Sequence, residues 1–325
     1  MASQITLKEV DGVEITSLAD NTVDFLSSIV KKEVKQVREW VKERMGEEWV
    51  KKRFQLPFAE HGFSVLIQVL CDGKFHTVLF DTGNSPEGVV TNAKRMGLNL
   101  GEVECIVLSH GHYDHFGGLL KILKAIEKEN LPIIVHEDML RIRGVVNPDG
   151  TIRKYPIFPS EDQVAPAKYV KTKQPYLLAD DSILVTGEIP RKTNYEKGYP
   201  RHHAFSDGKW QPDPWIWDER AIVIKVKQKG LVVISGCAHA GIVNTVLHAQ
   251  QITEVDKVYA IIGGFHLAGK DFEPRISQTV KMLRKFSPKI VVPMHCTGWR
   301  GKYAIFNGMP EAFMWNSVGN LYSFS

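Results

Sequence analysis

Ser109-His110-Gly111-His112-Tyr113-Asp114-His115 places four candidate metal ligands within six residues, directly after an apolar, strand-like run (Val103, Ile106, Val107, Leu108). Imidazoles and a carboxylate at this density crowd partly charged groups together, and a divalent cation relieves the crowding. Spacing sorts them. Residues two apart in an extended segment point the same way, so His110 and His112 face one ion. Asp114 and His115 follow as the chain turns into Phe116-Gly117-Gly118 and can face a second ion beside the first.

Three further histidines end apolar runs in the same manner. His239 follows residues 231–236, His266 follows residues 260–265 and His295 follows residues 290–294. One histidine after a strand is usually structural. Three of them beside glycine or proline turns, alongside the His-rich motif, point to a shared site. Asp81 closes the run 76–80 and is placed to orient a ligand histidine through a hydrogen bond.

The elements that must position these groups alternate in type. Residues 13–16, 63–70, 76–80, 132–136, 182–187, 221–226, 230–235, 257–262 and 289–292 read as strands, with a hairpin turn at Cys71-Asp72-Gly73-Lys74. Helices are expected at about 86–97, 118–129, 241–252 and 275–286. Between residues 24 and 54, Leu26, Val30, Val34, Val37, Val41 and Met45 recur at helical spacing among Lys, Arg and Glu, which predicts one amphipathic helix. Residues 142–180 read as irregular. Residues 195–218 read as a long loop rich in Tyr, Trp, Pro and His, including His202, His203, Trp210, Trp215 and Trp217. Strand runs with interspersed helices in both halves predict a single layered α/β domain over 1–325, with the histidines gathered on one rim.

Composition is that of an ordinary globular protein, 43% hydrophobic and 24% charged over 325 residues. A formal net charge of +4 gives no argument for nucleic acid, although it suits an anionic small-molecule substrate. No apolar run of membrane-spanning length occurs and the start carries no signal segment, so a cytoplasmic protein without membrane contact is expected. The four cysteines, Cys71, Cys105, Cys237 and Cys296, form no CxxC pair, in keeping with a reducing compartment. Cys105 reads as buried packing. Cys237 and Cys296, each beside a candidate ligand histidine, read as inert thiols. The 24–54 segment reads as a helix packed on its own domain or on a second subunit, so a homodimer is a possible assembly.

The SHGHYDH stretch resembles the metal motif of the metallo-β-lactamase superfamily. Residues 59–64 (AEHGFS), 186–191 (TGEIPR), 235–241 (SGCAHAG), 264–267 (GFHL) and 294–298 (MHCTG) are similar to one branch of it, named for 7,8-dihydropterin-6-yl-methyl-4-(β-D-ribofuranosyl)aminobenzene 5'-phosphate synthase. The resemblance implies an αββα sandwich of two mixed sheets with helices outside. It also implies two divalent ions, zinc by donor type with iron or manganese as alternatives. His110, His112 and His239 would hold the first ion, and Asp114, His115 and His295 the second, with Asp81 behind them. Hydrolytic relatives carry a ligand histidine near the TGEIP position and a bridging aspartate after the next strand. This chain has Glu188 near the former and Cys237 near the latter, so a more open or weaker second site is expected.

Three functions follow from the resemblance. The first is a dinuclear hydrolase that uses a metal-held hydroxide on a small ester, lactone or phosphate-bearing substrate, with Asp114 and His266 as catalytic groups. The second is a transferase in which the ions hold a diphosphate leaving group while an electron-rich aromatic carbon displaces it. Glu188, Arg191, Trp215 and Trp217 are the substrate-binding candidates, the arginine for phosphate and the tryptophans for a pterin ring. The third is a metal-binding effector with little turnover.

Overall fold

Burial sorts the strands into two facing sheets. The computed structural model describes residues 4–325. One sheet has eight strands in the spatial order Lys168–Lys171, Pro132–Val135, Cys105–Val107, Lys74–Phe80, Ser64–Cys71, Gly12–Ala19, Leu321–Phe324 and Val34–Lys35. The other has seven. Its path runs Tyr176–Leu178, Ile183–Val185, Ala221–Val226, Gly230–Ser235, Val258–Gly264 and Ile290–Met294, and Glu9–Val10 pairs with Ala221–Val226 as the seventh.

The alternation along each strand explains the stacking. Val13, Ile15, Val65, Ile67, Val78 and Phe80 of the first sheet meet Ile222, Ile224, Val232, Ile234, Ile262 and Val292 of the second in one buried cluster. The opposite faces are also apolar and need cover. Leu66, Leu79, Ile106 and Ile133 are covered by Trp40, Val41, Val89, Met96, Leu119 and Ile122. Val223, Val233, Ile261 and Val291 are covered by Ile242, Val246, Ala249, Leu283 and Ile305. Helices therefore lie outside both sheets, and the architecture is the expected αββα sandwich.

Three local expectations are corrected, and one strand was not foreseen. Residues 24–54 do not form one helix. The segment holds the edge strand Val34–Lys35 and two short helices, Val37–Met45 and Glu47–Arg53, separated at Gly46 where φ is +85°. Leu26 and Val30, which complete the periodic stripe in sequence, stand out in solvent at 98% and 92% exposure. The real anchor is Trp40, buried with its indole N–H donating to Gly319 O at 2.7 Å.

Residues 142–180 are not irregular throughout, because they contain strands Ile142–Val146 and Ile152–Lys154 as well as Lys168–Lys171 and Tyr176–Leu178. The aromatic stretch 195–218 is not a plain loop either. Its strands His202–Ser206 and Lys209–Pro212 join Ile142–Val146 and Ile152–Lys154 in a third, four-stranded antiparallel sheet. Finally, Leu321–Phe324 is a full member of the eight-stranded sheet, paired on both sides. Among the described residues no helix is long and apolar enough to cross a membrane.

Candidate metal centre

The predicted ligands His110, His239 and His295 sit just past the C-terminal ends of strands, and Asp114 and His115 lie in the short helix Tyr113–Phe116 that follows the first of them. Lys74–Phe80, Cys105–Val107 and Pro132–Val135 run parallel, as do Gly230–Ser235, Val258–Gly264 and Ile290–Met294. Parallel strands deliver their C-terminal ends to one rim, so Asp81, His110, His239, His266 and His295 converge there. The turns that aim them are tight. Asp81, Ala238, His266 and His295 have φ of +61°, +56°, +42° and +44°. Non-glycine residues hold this conformation only where their surroundings impose it, and such strain collects at functional sites.

His110, His112 and His239 bring ring nitrogens within 4.8 Å of one another, as the first-ion expectation requires. His110 Nδ1 meets Ser109 Oγ at 2.9 Å, which leaves Nε2 facing His112 Nδ1 at 3.0 Å. On the second side, His295 Nε2 lies 3.1 Å and His115 Nε2 4.0 Å from the Asp114 carboxylate. Asp81 takes the supporting place expected of it. Its Oδ2 lies 2.6 Å from His115 Nδ1 and accepts from Ser109 Oγ at 2.7 Å, while its Oδ1 accepts the Ser109 N–H at 2.6 Å. Only glycine fits above this network: a Cβ on Gly236 would stand 2.2 Å from Ser109 Oγ and 2.7 Å from Asp81 Oδ2.

The donor set fits divalent cations. Both ring nitrogens of His239, and Nε2 of His115 and His295, are buried with no hydrogen-bond partner. Such orphaned atoms cost stability unless something else binds them. Burial and mutual repulsion hold His110, His112 and His239 well below the ordinary imidazole range, and burial brings His266 down to about 3. These rings are neutral at pH 7, the form that ligates metal. His115 goes the other way. Burial alone would lower it, but the Asp81 and Asp114 carboxylates outweigh that and raise it. Asp114 stays ionised, since His115 and His295 overcome its own burial.

Several groups at the site lie outside the ligand set expected from sequence. His202, on the third sheet, is fully buried and donates from Nδ1 to Asp213 O at 2.8 Å; its bare Nε2 lies 3.0 Å from His112 Nε2. His61, from the AEHGFS segment, has Nε2 3.5 Å from Asp114 Oδ2. Arg143 makes a bidentate pair with Asp218 at 2.8 and 2.6 Å, and Asp218 also accepts the Gly111 N–H at 2.8 Å. Burial alone would raise the Asp218 carboxyl, but the guanidinium outweighs it and holds it at about 2. Cys237, just past strand Gly230–Ser235, also enters the cluster. Its sulfur lies within 4.8 Å of ring nitrogens of His110 and His115, and of His239 and His266. In sequence His202 was signalled by the aromatic, His-rich composition of 195–218, His61 by the AEHGFS segment and Cys237 by its place beside His239, whereas Arg143 carried no signal.

Above the cluster is a cavity of ≈ 300 Å³. It is lined by the buried His112, Cys237 and His239 with Asp114 and His266, by Tyr113, Tyr155, Tyr199 and Phe272, and by Arg153, Arg201, Lys270 and Asp271, of which Arg153 and Lys270 are exposed. None of the four substrate-binding candidates lines it. Glu188 Oε1 contacts His136 Nε2 at 3.0 Å. Arg191 donates to the Ile189 and Trp215 carbonyls and stacks over Trp217, 4.7 Å from the ring centroid. Trp215 and Trp217 remain part-exposed beside it. Arg191 therefore braces the 189–217 loop instead of facing the cavity. A larger groove of ≈ 750 Å³ lies at the opposite end of Lys74–Phe80, beside Arg44 and Phe75, and no histidine lines it.

Residues 58–250 match the model of the metallo-β-lactamase superfamily. The chain is 34% identical to the 7,8-dihydropterin-6-methyl-4-(β-D-ribofuranosyl)-aminobenzene-5'-phosphate synthase of Methanocaldococcus jannaschii, over 83% of this chain and 92% of that protein. Two solved structures share the fold. Tm1679, described as a metal-dependent hydrolase of the β-lactamase superfamily, superposes with a TM-score of 0.67 at 24% identity over 96% of this chain and 98% of that one. YhfI of Bacillus subtilis, described as a metallo-β-lactamase fold protein, gives 0.51 at 11% identity over 97% of this chain and 100% of its own. With family match, relative and sandwich in agreement, the chain belongs to the metallo-β-lactamase superfamily, in the branch that includes the methanogen synthase.

Proposed function

We propose that this chain is a metal-dependent transferase that joins an aromatic group carried on a diphosphate to an arylamine that bears a phosphate. The observation that carries this reading is the cavity. Tyr113, Tyr155, Tyr199 and Phe272 line it together with the imidazoles, and of its cationic side chains Arg153 and Lys270 are not paired with Asp271 as Arg201 is. The M. jannaschii relative, named as a synthase of a dihydropterin–aminobenzene phosphate, supports it.

His110, His112 and His239 would hold one cation, and Asp114, His115 and His295 a second. The mixed nitrogen and oxygen donors suit zinc or iron better than magnesium. A cation there supplies Lewis-acid polarisation of a phosphate oxygen. The protein's own groups do the rest. Tyr155 and Tyr199 sandwich the flat ring. Arg153 and Lys270 pair with phosphate, while Arg201 is already paired with Asp271 at 3.0 Å. As the C–O bond to diphosphate breaks, the leaving group keeps the electron pair and the amine nitrogen bonds to that carbon. The amine proton passes to His266 Nε2, since His266 Nδ1 faces Cys237 Sγ at 3.6 Å.

Hydrolysis is the second reading. Asp114 and His266 both face a cavity open to water, and water then replaces the amine. The test is turnover by metal-loaded protein of 7,8-dihydropterin-6-ylmethyl diphosphate with 4-(β-D-ribofuranosyl)aminobenzene 5'-phosphate in ¹⁸O-water, followed by mass spectrometry. A condensed product with released diphosphate supports the transferase. Only ¹⁸O-labelled alcohol or phosphate supports the hydrolase and sinks the first reading. No conversion, with both ions bound, overturns both for these substrates.

A further inference from the structure

Two thiols meet in the floor of the cavity. Cys237 follows the strand Gly230–Ser235 and Cys296 follows Ile290–Met294, with Val258–Gly264 running between them. Across that middle strand their sulfurs approach to 3.1 Å, closer than two unbonded sulfurs usually rest. The approach depends on Gly264, the last residue of the intervening strand. A Cβ there would stand 2.7 Å from Cys296 Sγ and 3.2 Å from Cys237 Cα. The Cys296 thiol also donates to Cys237 O at 3.2 Å, which keeps it turned toward its neighbour.

We infer that Cys237 and Cys296 form a reversible, peroxide-sensitive disulfide at the base of the substrate cavity. The two cysteines differ in access, and that assigns their roles. Both line the cavity, but Cys296 is part-exposed whereas Cys237 is buried at 2% exposure. Cys296 therefore meets a hydroperoxide first. Its sulfur attacks the distal peroxide oxygen, the O–O bond breaks, and an alcohol or water leaves with a sulfenic acid left behind. Cys237 then attacks that sulfur. The S–S bond forms, the S–O bond breaks and water departs with the proton. The two thiols lose two electrons together and the peroxide gains two, so the exchange balances. Bond formation needs a shift of about 1 Å from the present separation to the usual S–S length. It turns the Cys237 sulfur, which lies within 4.8 Å of ring nitrogens of His110, His115, His239 and His266, from a thiol into a disulfide sulfur. A thiol pair in a reducing compartment is then a sensor of peroxide rather than a permanent staple.

The test is thiol counting on the full-length, metal-loaded protein, which does not depend on knowing its substrate. After exposure to millimolar hydrogen peroxide, free thiols are alkylated and digested peptides mapped by mass spectrometry. The expected result is loss of two of the four thiols, a linked peptide pair containing Cys237 and Cys296, and full recovery with dithiothreitol. Cys71→Ser and Cys105→Ser should behave like wild type. Cys237→Ser should instead accumulate +16, +32 and +48 Da adducts at Cys296. Three results would overturn the inference: four intact thiols in wild type, irreversible adducts at Cys296 with no linked pair, or a linked pair containing Cys71 or Cys105.

Discussion

Asp81 and Glu219 show how single buried carboxylates act at this rim in opposite ways. Asp81 fixes His115 and Ser109 together, so its effect is on ligand orientation. Asp81→Ala should weaken cation binding by about 10- to 100-fold, measured by competition with a chromophoric chelator. Unchanged affinity would remove Asp81 from the site's support. Glu219 is fully buried and pushed up to about 7 by that burial, although the Ala240 N–H donates to it at 2.5 Å. The folded state thus keeps a proton that the unfolded chain, with its ordinary value of 4.5, has released. Between those pH values the fold loses stability as pH rises, by roughly 3 kcal/mol in all. Glu219→Gln should therefore raise Tm at pH 8 and change it little at pH 4.5. A Tm that falls at pH 8 would show that the charged form is the one the fold needs. Legibility at this scale was uneven. His110, His112, Asp114 and His115 announce themselves because they lie within six residues. His202 and the Arg143–Asp218 pair do not, because their partners lie 90 and 75 residues away.

Elements followed the sequence where one face was apolar, and departed from it where long-range pairing decided. The central strands and the helices Gly88–Arg95, Leu119–Ile126, Ile242–Thr253 and Ile276–Phe286 lie close to where periodicity puts them. The 24–54 segment does not, because periodicity cannot see Gly46 turn to positive φ or Val34 pair with Tyr322. Trp40 secures this segment through burial and one hydrogen bond to Gly319. Trp40→Ala should cost about 3–5 kcal/mol in urea unfolding, the range for large aromatic truncations in a core. A loss under 1 kcal/mol would mean that the two short helices ride loosely on the sheet. The four-stranded sheet was hidden for a different reason. Its strands come from two stretches whose polar and aromatic residues do not alternate cleanly, and antiparallel pairing between them is the one thing that defines it.

At the scale of the whole molecule, one ion pair ties the three sheets together. Arg143 belongs to the four-stranded sheet, Asp218 lies just before Ala221–Val226 of the seven-stranded sheet, and Gly111 sits in the ligand loop of the eight-stranded sheet. Removing one partner of a buried pair leaves the other charge uncompensated. Arg143→Ala should lower stability by about 3–5 kcal/mol and also reduce the metal content of purified protein. Lost stability with a full metal complement would separate the two roles. The division of ligands between the sheets has a further consequence, for the order in which the protein is made. His110, His112, Asp114 and His115 are synthesised long before His239, His266 and His295, and the strand that completes the first sheet, Leu321–Phe324, comes later still. A nascent chain holding only the first group offers a cation half a cage and no opposing layer. On the proposed assignment, the complete ligand set would therefore come together only after the strands of both sheets have been made.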